Sequence, residues 1–355
     1  MKAVGSYKAL PVNEAEAFLD VELDVPEATG RNILVSVKAV SVNPVDTKVR
    51  KRPHPDETLR VLGWDAAGVV TAVGDDVTMF EVGDEVYYAG CITKPGSNSE
   101  YQLVDERIAA KKPTKLSFAE SAALPLTTIT AWEALFERLD VSLGGKDAGK
   151  TILMIGGAGG VGSIAIQLAK KLGNLTVIAT ASRPESADWC KARGADHVIN
   201  HYEDIPEQLD ALGHPQVHYV LCLTNIAGYW KTITDVIRPQ GKICTIVDFF
   251  GDSNLDLLKP KSATFAFEFM FTRSMFQTED MDEINILLSE TAAMIDSDEL
   301  ITTLSEVISP INAENVRKVH RTSKRAGPSA NMCWRAGPSP PCRQPAFLKN
   351  LASNG

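Results

Sequence analysis

The sequence predicts an α/β protein in which a β-rich amino-terminal region is followed by a doubly wound parallel sheet. Three observations predict this fold class. Short alternating strands occur up to about residue 125, apolar strands alternate with helices from Thr151 onward, and a glycine-rich turn joins the first of those strands to the next helix. The chain has 355 residues, which is enough for about two domains.

The amino-terminal strands are predicted from apolar and polar residues that alternate with the period of a half-buried strand. Gly and Asp supply turns between them, as in a small barrel or sandwich. The predicted strands are residues 32–43, 68–74, 82–90 and 99–105. After Ser117 the pattern becomes helical, and Pro125 is expected to break it into two helices.

From Thr151 the order becomes strand, helix, strand, which is typical of parallel sheets. Strands are predicted at 151–155, 176–181, 197–200, 217–224 and 241–247. Helices are predicted at 161–173, 186–195 and 229–239. A last strand is expected within 300–308, and a helix is expected to begin near Asn312.

One uncharged segment, residues 151–169, is about as long as a membrane-spanning helix. Five glycines cluster inside it, directly after a short β-branched run. A strand, a glycine turn and a buried helix explain this segment better, so we expect no transmembrane helix.

The glycine turn matches the G-x-G-x-x-G pattern of dinucleotide-binding sheets, with Gly157, Gly159 and Gly162 in the glycine positions. Gly160 and Val161 complete it. The first glycine is expected to permit the tight turn, the second to admit a pyrophosphate, and the third to let the helix approach the strand. The alternative is a glycine-rich turn that binds no ligand.

The end of the next strand predicts the type of cofactor. A sheet that selects NAD usually carries Asp or Glu there, but this chain has Ser182 and Arg183, and Glu185 is the first acid. A serine hydroxyl and a guanidinium suit a 2′-phosphate, so we expect NADPH. The alternative is a solvated surface arginine.

The charge and the cysteines narrow the class of protein further. The net charge of −9 argues against binding to nucleic acid or anionic membranes. The spacing of the six cysteines suggests neither a zinc site nor a disulfide framework, and no apolar run of signal-peptide length follows Met1. We expect a cytoplasmic protein with reduced thiols.

Several motifs together resemble the medium-chain dehydrogenase/reductase superfamily. They are "VNPVDTKVR" (42–50), "GWDAAGVV" (63–70), "LPLTTITAWEAL" (124–135), "GGAGGVGSIAIQLAK" (156–170) and "PQGKICTIVD" (239–248). They are most similar to the quinone oxidoreductase branch, in its bacterial zinc-type alcohol dehydrogenase-like group. The resemblance covers about residues 1–321.

The resemblance implies a domain organisation. It predicts a GroES-like catalytic domain over residues 1–125, a Rossmann NADPH-binding domain over 126–270, and a return to the catalytic domain over 271–321. It also implies a homodimer or homotetramer, with a cleft between the two domains.

The residues contradict a catalytic zinc ion, although the group's name suggests one. Zinc-containing relatives have Cys at the position of Asn43, and Gly-His-Glu where this chain has Gly63-Trp64-Asp65. Asn and Trp do not supply the nitrogen or sulfur ligands that zinc needs. We therefore expect no metal.

Without a metal, another group must polarise the substrate oxygen and another must supply a proton. Asn43 is the first candidate for polarisation, with a structural role in the turn before Pro44 as the alternative. Asp46 and Lys48 follow on what is predicted to be the same loop. Asp46 is a candidate for proton transfer, but it is better explained as a residue that orients that loop. Tyr88 is a candidate proton donor that is better explained as a packed strand residue.

The resemblance implies further contacts with the cofactor. Thr127 matches a threonine that contacts the nicotinamide or its ribose. His201 lies where a residue packs near the 2′-phosphate, and Cys222 is expected to be a core thiol at a strand end that passes the ribose. The remaining expected contacts are Thr224 and Val247.

The segment from Thr322 to Gly355 does not resemble the rest of the chain. It carries five basic residues and no acid, so the remaining 321 residues carry −14. Family members end in a helix and a closing strand. Codons that are allowed for these residues, when read from their third base, can spell Leu-Glu-Ala-Gly-Arg-Ala-Ile-Gly-Lys from Thr322; the choice uses redundant bases and is not unique, but it resembles that ending. We therefore expect 322–355 to be a frameshifted, largely disordered tail.

The sequence and the resemblance lead to two hypotheses for the function, from different classes of protein. The first is an NADPH-dependent, zinc-independent oxidoreductase that reduces quinones or α,β-unsaturated carbonyls by hydride transfer. The second is a protein that binds NADPH with little or no catalysis, as a redox sensor or interaction partner.

Overall fold

The computed structural model describes residues 1–53, 58–249, 251, 254–322 and 330–333, the last four and Thr322 by their backbone only. The amino-terminal region contains eight described strands and one helix. The strands are β1 (Lys2–Ser6), β2 (Leu19–Glu22), β3 (Asn32–Val42), β4 (Arg60–Val61), β5 (Asp65–Val73), β6 (Glu85–Ala89), β7 (Tyr101–Asp105) and β8 (Ala109–Lys111). The helix is α1 (Pro44–Arg50). All four strands predicted here from alternation are present.

The segment after Asn43 is a helix and not the predicted loop. Pro44 occupies the first helical position, and the Asp46 carboxylate accepts a hydrogen bond from the Asn43 backbone N–H at 2.7 Å. This is one half of a capping box, so side chains that suggest a loop in the sequence begin a helix in the structure.

Two helices cross from the first region to the second: α2 (Phe118–Ala122) and α3 (Pro125–Trp132). Pro125 begins α3, as the sequence predicts. A π-helical segment, Glu133–Arg138, continues α3.

The second region is a parallel sheet of six described strands in the order β11-β10-β9-β12-β13-β14. The strands are β9 (Thr151–Ile155), β10 (Thr176–Thr180), β11 (His197–Ile199), β12 (Val217–Cys222), β13 (Ile237–Thr245) and β14 (Thr264–Phe267). The helices between β9 and β13 are α4 (Gly160–Lys171), α5 (Pro184–Ala192), α6 (Ile205–Ala211) and α7 (Ile226–Val236). The predicted alternation is confirmed, and the uncharged segment is the strand β9 and the helix α4.

The strand β14 and the helix α6 are not among the predicted elements. The sequence around α6 carries few apolar residues in a clear period. The aromatic run around β14 has Phe at every second position from Phe265 to Phe271, a strand period that the prediction did not use. Both elements are defined by tertiary contacts: β14 pairs in parallel with β13, and Leu209 of α6 is fully buried.

The chain then returns to the amino-terminal sheet. The elements are α8 (Thr272–Phe276), α9 (Glu283–Asp296), β15 (Glu306–Ile308), α10 (Ala313–Thr322) and β16 (Ala330–Cys333). The helix α9 packs on β8, where Asn285 donates a hydrogen bond to the Ala109 carbonyl at 2.6 Å. The last predicted strand is shorter than expected, and α10 begins at the predicted place.

One part of the expected disordered tail is a strand. The backbone of β16 pairs antiparallel with β3 at residues 39–42 and parallel with β15. The expectation of a largely disordered tail therefore does not hold for these four residues, because backbone pairing needs no particular side chains. The rest of the tail lies outside the described residues.

The described helices include none that is long and apolar enough to span a membrane. The cysteines whose side chains are described, Cys91, Cys190, Cys222 and Cys244, are free thiols.

Candidate cofactor and catalytic site

The turn between β9 and α4 depends on close backbone contacts that only glycine permits. A Cβ at Gly162 would lie 2.4 Å from the Gly157 carbonyl oxygen, and a Cβ at Gly157 would lie 2.8 Å from the Ala179 Cβ on β10. The left-handed backbone is at Gly156, with φ +91°. The tight turn therefore depends on Gly156, while Gly157 and Gly162 allow strand and helix to approach.

Gly159 differs from its neighbours because its missing side chain leaves space. The atom nearest to a Cβ placed on Gly159 would be the Gly156 carbonyl oxygen at 3.5 Å, which is an ordinary van der Waals distance. Gly159 is also the N-cap of the twelve-residue helix α4, where backbone N–H groups favour an anion. This cradle fits a dinucleotide pyrophosphate, with Gly160 and Val161 in the first turn of the helix.

The carboxyl ends of neighbouring parallel strands bring most predicted cofactor contacts to one edge. Ligands in open parallel sheets bind at this edge. In strand order the residues are His201 after β11, Ser182 and Arg183 after β10, the glycine turn after β9, Cys222 and Thr224 at the end of β12, and Val247 after β13. The sheet topology places these sequence-distant residues side by side.

The end of β10 carries a cationic and a hydroxyl side chain. Arg183 is exposed and is the N-cap residue of α5, and Ser182 is half-buried. The side chain of Thr180 accepts a hydrogen bond from the Gly156 N–H at 3.0 Å, which ties β10 to the glycine turn. The His201 ring lies 4.6 Å from that of Tyr202, and burial lowers the pKa of His201.

Cys222 is a core thiol, as expected. It is fully buried, burial raises its pKa to about 12, and its Sγ donates to the Thr224 carbonyl at 2.9 Å. Thr224 is exposed beside Gly156, and its methyl carbon lies 3.4 Å from a Cβ built there.

The predicted catalytic residues Asn43 and Asp46 lie in the core. Asn43 is 1% exposed, and its amide Nδ2 donates to the Asp65 carboxylate at 2.7 Å. Asp46 is fully buried, which raises its pKa to about 7 against the backbone hydrogen bonds that lower it. These contacts favour the structural role that the sequence left open for Asn43.

Asp65 was missed as a site residue. Its Oδ1 accepts from the Leu126 N–H at 2.7 Å, so it caps α3, and its Oδ2 holds Asn43. Burial raises its pKa well above the ordinary range, and the nearby Asp46 raises it further. The only signal in the sequence was an acid next to a buried tryptophan in "GWDAAG".

Tyr88 and Thr127 are also enclosed. The Tyr88 hydroxyl is fully buried and donates to Gln102 at 2.9 Å, which favours the packed role over proton donation. Thr127 is 2% exposed on α3, which packs against α4, and its hydroxyl donates to the Leu124 carbonyl at 2.9 Å.

A charged side chain of α1 reaches the cofactor edge. The Lys48 ammonium lies 3.4 Å from the Asp248 carboxylate, and both side chains are about half exposed. Asp248 directly follows Val247, beyond the carboxyl end of β13. Lys48 therefore places a cation of α1 beside the carboxyl end of β13.

The residues do not fit a catalytic zinc ion. The Trp64 indole N–H donates to the Cys91 carbonyl at 3.2 Å, and its ring packs edge-to-face on Phe271 at 5.8 Å. The Asn43 amide is bound to Asp65. In the described part of the chain, no cluster of three His, Cys, Asp or Glu side chains could hold a metal.

Comparison with known proteins agrees with this architecture. Residues 29–114 match the alcohol dehydrogenase GroES-like domain, and residues 160–286 match the zinc-binding dehydrogenase family. A zinc-type alcohol dehydrogenase-like protein of Staphylococcus aureus (strain MSSA476) is 44% identical over 322 residues, which cover 90% of this chain and 96% of that protein.

Two other similar proteins extend the comparison. The crystal structure of a protein from Rhizobium etli CFN 42, described as a zinc-dependent alcohol dehydrogenase protein, is 47% identical, with a TM-score of 0.90 over 95% of this chain and 98% of that one. The chloroplastic NADPH-dependent alkenal/one oxidoreductase of Arabidopsis thaliana is 39% identical over 263 residues, covering 68% of this chain and 64% of that protein. The chain belongs to the medium-chain dehydrogenase/reductase superfamily, in its zinc-type alcohol dehydrogenase-like group.

Proposed function

We propose that this protein is an NADPH-dependent, zinc-independent oxidoreductase that reduces α,β-unsaturated carbonyls or quinones. The observation that carries the proposal is the cradle at Gly159 beside Ser182 and Arg183, on the carboxyl edge of one parallel sheet. A relative that is 39% identical over 263 residues is named as an NADPH-dependent alkenal/one oxidoreductase. Enones and quinones share a carbonyl conjugated to an electron-poor carbon, so both suit hydride transfer.

Different residues bind the pyrophosphate and the 2′-phosphate of NADPH. The glycine turn and the N-terminus of α4 hold the pyrophosphate, while the Arg183 guanidinium and the Ser182 hydroxyl hold the 2′-phosphate. Thr224 and Val247 line the path toward the nicotinamide. When bound, NADPH supplies the hydride.

Charge on the substrate oxygen requires a donor that faces the cleft. Asn43 and Asp46 hold α1 in place, since their polar groups are buried and bound within the protein. Lys48 on the same helix is exposed toward the cofactor edge. Its ammonium stabilises the developing oxyanion, and a proton reaches the product from it or from water.

Turnover tests the function. NADPH oxidation is measured with a panel of enals, enones and quinones, in parallel with NADPH binding by calorimetry. We expect turnover with at least one conjugated carbonyl and none with simple alcohols and NADP⁺. NADPH binding without turnover would favour the redox-sensor alternative.

The substitution Arg183→Ala tests the cofactor preference. Loss of the guanidinium is expected to lower the ratio of kcat/KM for NADPH over NADH by about tenfold or more, because a charge-assisted phosphate contact is lost. Lys191→Ala, an exposed cation in the last turn of α5, is the matched control. An unchanged ratio in Arg183→Ala would assign the 2′-phosphate to another residue.

The sheet edge supports a homodimer. The outer strand β14 ends in exposed aromatic side chains, with Phe267 56% and Phe269 45% exposed. Unpaired edge strands that carry apolar side chains favour pairing with another chain. Light scattering on wild type and on Phe267→Lys tests this, with a dimer and a monomer expected.

A further inference from the structure

A cavity of about 530 Å³ opens at the amino-terminal edge of the Rossmann sheet. It is lined by residues just before β9, by His218 and Tyr219 of β12, and by the first half of β13. The glycine turn follows the opposite end of β9, and a five-residue strand spans roughly 15 Å. The cavity is therefore distinct from the cofactor edge.

The cavity is basic in an acidic protein. Four cations line it, Lys146, Lys150, Arg238 and Lys242, against the two carboxylates of Asp140 and Asp147, whereas the whole chain carries −9. Lys242 pairs with Asp140 at 2.7 Å, and Lys150 pairs with Asp147. Within the described residues, Lys146 and Arg238 have no carboxylate partner, so the positive charge is uncompensated.

The contacts of His218 leave one donor without an acceptor. Its Nδ1 accepts from the Thr151 N–H at 3.1 Å, and its Nε2 lies 2.5 Å from Nη1 of Arg238. Burial and the nearby Arg238 and Lys150 charges lower the pKa of His218, so the ring is neutral and carries one N–H.

Each tautomer of the neutral His218 ring places an N–H of the ring against another N–H donor. With the proton on Nε2, two donors face each other at Arg238; with the proton on Nδ1, two donors face each other at Thr151. A guanidinium is a donor only, so it cannot resolve the conflict by changing its protonation. The exposed Arg238 guanidinium therefore has an Nη1 donor that His218 cannot accept together with the Thr151 N–H, and that donor is open to an acceptor from solvent.

We propose that this cavity binds a small multivalent oxyanion, a phosphate or carboxylate compound, with Arg238 as the principal donor. The anion accepts from the Arg238 guanidinium, which then leaves His218 to its contact with Thr151. Lys146 adds a second charge-assisted contact. The volume lies in the range of small-molecule sites, which admits more than a single inorganic ion.

Calorimetric titration of the full chain with sodium pyrophosphate, at constant ionic strength, tests the site. Because pyrophosphate also suits the cofactor cradle, Arg238→Gln and Arg183→Ala are compared. We expect Arg238→Gln to weaken one binding component by about tenfold or more, and Arg183→Ala to leave that component unchanged. Lys231→Gln, a cation 86% exposed on α7, controls for general charge loss.

A second titration, with citrate, distinguishes a carboxylate ligand from a phosphate ligand. Binding of pyrophosphate or of citrate at the Arg238-dependent site supports the proposal. The ¹⁵N shifts of His218, assigned with His218→Gln, provide a second readout at the site itself. They are expected to change as the anion withdraws Arg238 from the ring. The proposal is overturned if neither anion binds at millimolar concentration, or if Arg238→Gln leaves binding and the His218 shifts unchanged. Circular dichroism and thermal unfolding verify that each variant is folded.

Discussion

Around α1, single side chains hold the helix by buried polar contacts. Asn43, Asp46 and Asp65 are each no more than 1% exposed, and Asp65 accepts from both Asn43 and the Leu126 N–H. Hydrogen bonds to these buried carboxyl groups offset part of the cost of their burial, which for an unpaired charge is several kcal/mol. Lys48 on the same helix differs from them, because its side chain is about half exposed and contacts Asp248 at 3.4 Å.

Replacement of Lys48 by Met is expected to lower kcat by about ten- to hundredfold, with NADPH affinity changed little, because an oxyanion-stabilising charge is lost. Enones should lose more than quinones, since an enolate is more basic than a hydroquinone anion and needs a donor more. Lys51→Met, at the end of the same helix, is the control. Equal losses for both substrate classes would indicate structural damage instead.

His320 makes stability depend on pH. It is fully buried against Phe18 at 4.8 Å, and neither ring nitrogen has a partner among the described residues. Burial, and next the charge of Arg50, lower its pKa from 6.5 to about 3. The unfolded chain therefore takes up a proton first as the pH falls, which destabilises the folded state between about pH 6.5 and 3.

The variant His320→Leu should flatten that dependence. The contribution of His320 to the slope of the free energy of unfolding is at most roughly 1.4 kcal/mol per pH unit. Urea unfolding at several pH values, with His197→Leu as the control for loss of a histidine, measures it. Identical slopes in wild type and His320→Leu would remove His320 as the cause.

At the scale of elements, the glycine turn separates two roles within one motif. Gly162 is needed for the fold, because a Cβ there would meet the Gly157 backbone at 2.4 Å. Gly159 is not needed for the fold, because a Cβ there fits at 3.5 Å and its φ of −75° suits any residue. The two glycines thus provide matched variants.

Gly159→Ala is expected to unfold at the wild-type temperature yet bind NADPH about tenfold or more weakly, because the methyl group keeps the pyrophosphate from the backbone. Gly162→Ala should lower the melting temperature as well, because the Gly157 carbonyl and the first turn of α4 must move apart to admit the methyl group. Thermal unfolding and calorimetric titration of both variants provide the comparison. Normal NADPH binding by Gly159→Ala would place the pyrophosphate elsewhere.

For the whole molecule, the carboxyl-terminal segment contributes through its backbone. The strand β16 lies between β3 and β15 in the amino-terminal sheet, so its removal would leave the β3 edge at residues 39–42 unpaired. The shifted reading frame stays a prediction.

Two shortened chains test the contribution of β16. A chain ending at residue 329 should melt several degrees below one ending at residue 336, since about four paired residues are lost. Thermal unfolding compares the two shortened chains. A third chain, which carries the shifted-frame sequence from Thr322, tests the frame hypothesis. It is expected to have a higher melting temperature than either shortened chain. Equal melting temperatures of the two shortened chains would show that β16 contributes nothing to stability.

The sequence by itself determined the fold class, the order of most strands and helices, and the glycine turn. These features depend on local periodicity and on residues a few positions apart, as in β9, α4 and the turn between them. The expectation of NADPH from Ser182 and Arg183 has the same local basis, because it depends only on the residues immediately after β10.

Only the tertiary structure decided which polar residues are buried and which face the cleft. Asn43 and Asp65 lie 22 residues apart, Asp65 and Leu126 lie 61 apart, and Lys48 and Asp248 lie 200 apart. The same holds for Arg238, whose conflict with His218 appears once β12 and β13 lie side by side. Burial and donor–acceptor pairing are properties of three-dimensional neighbours, so no pattern along the chain records them.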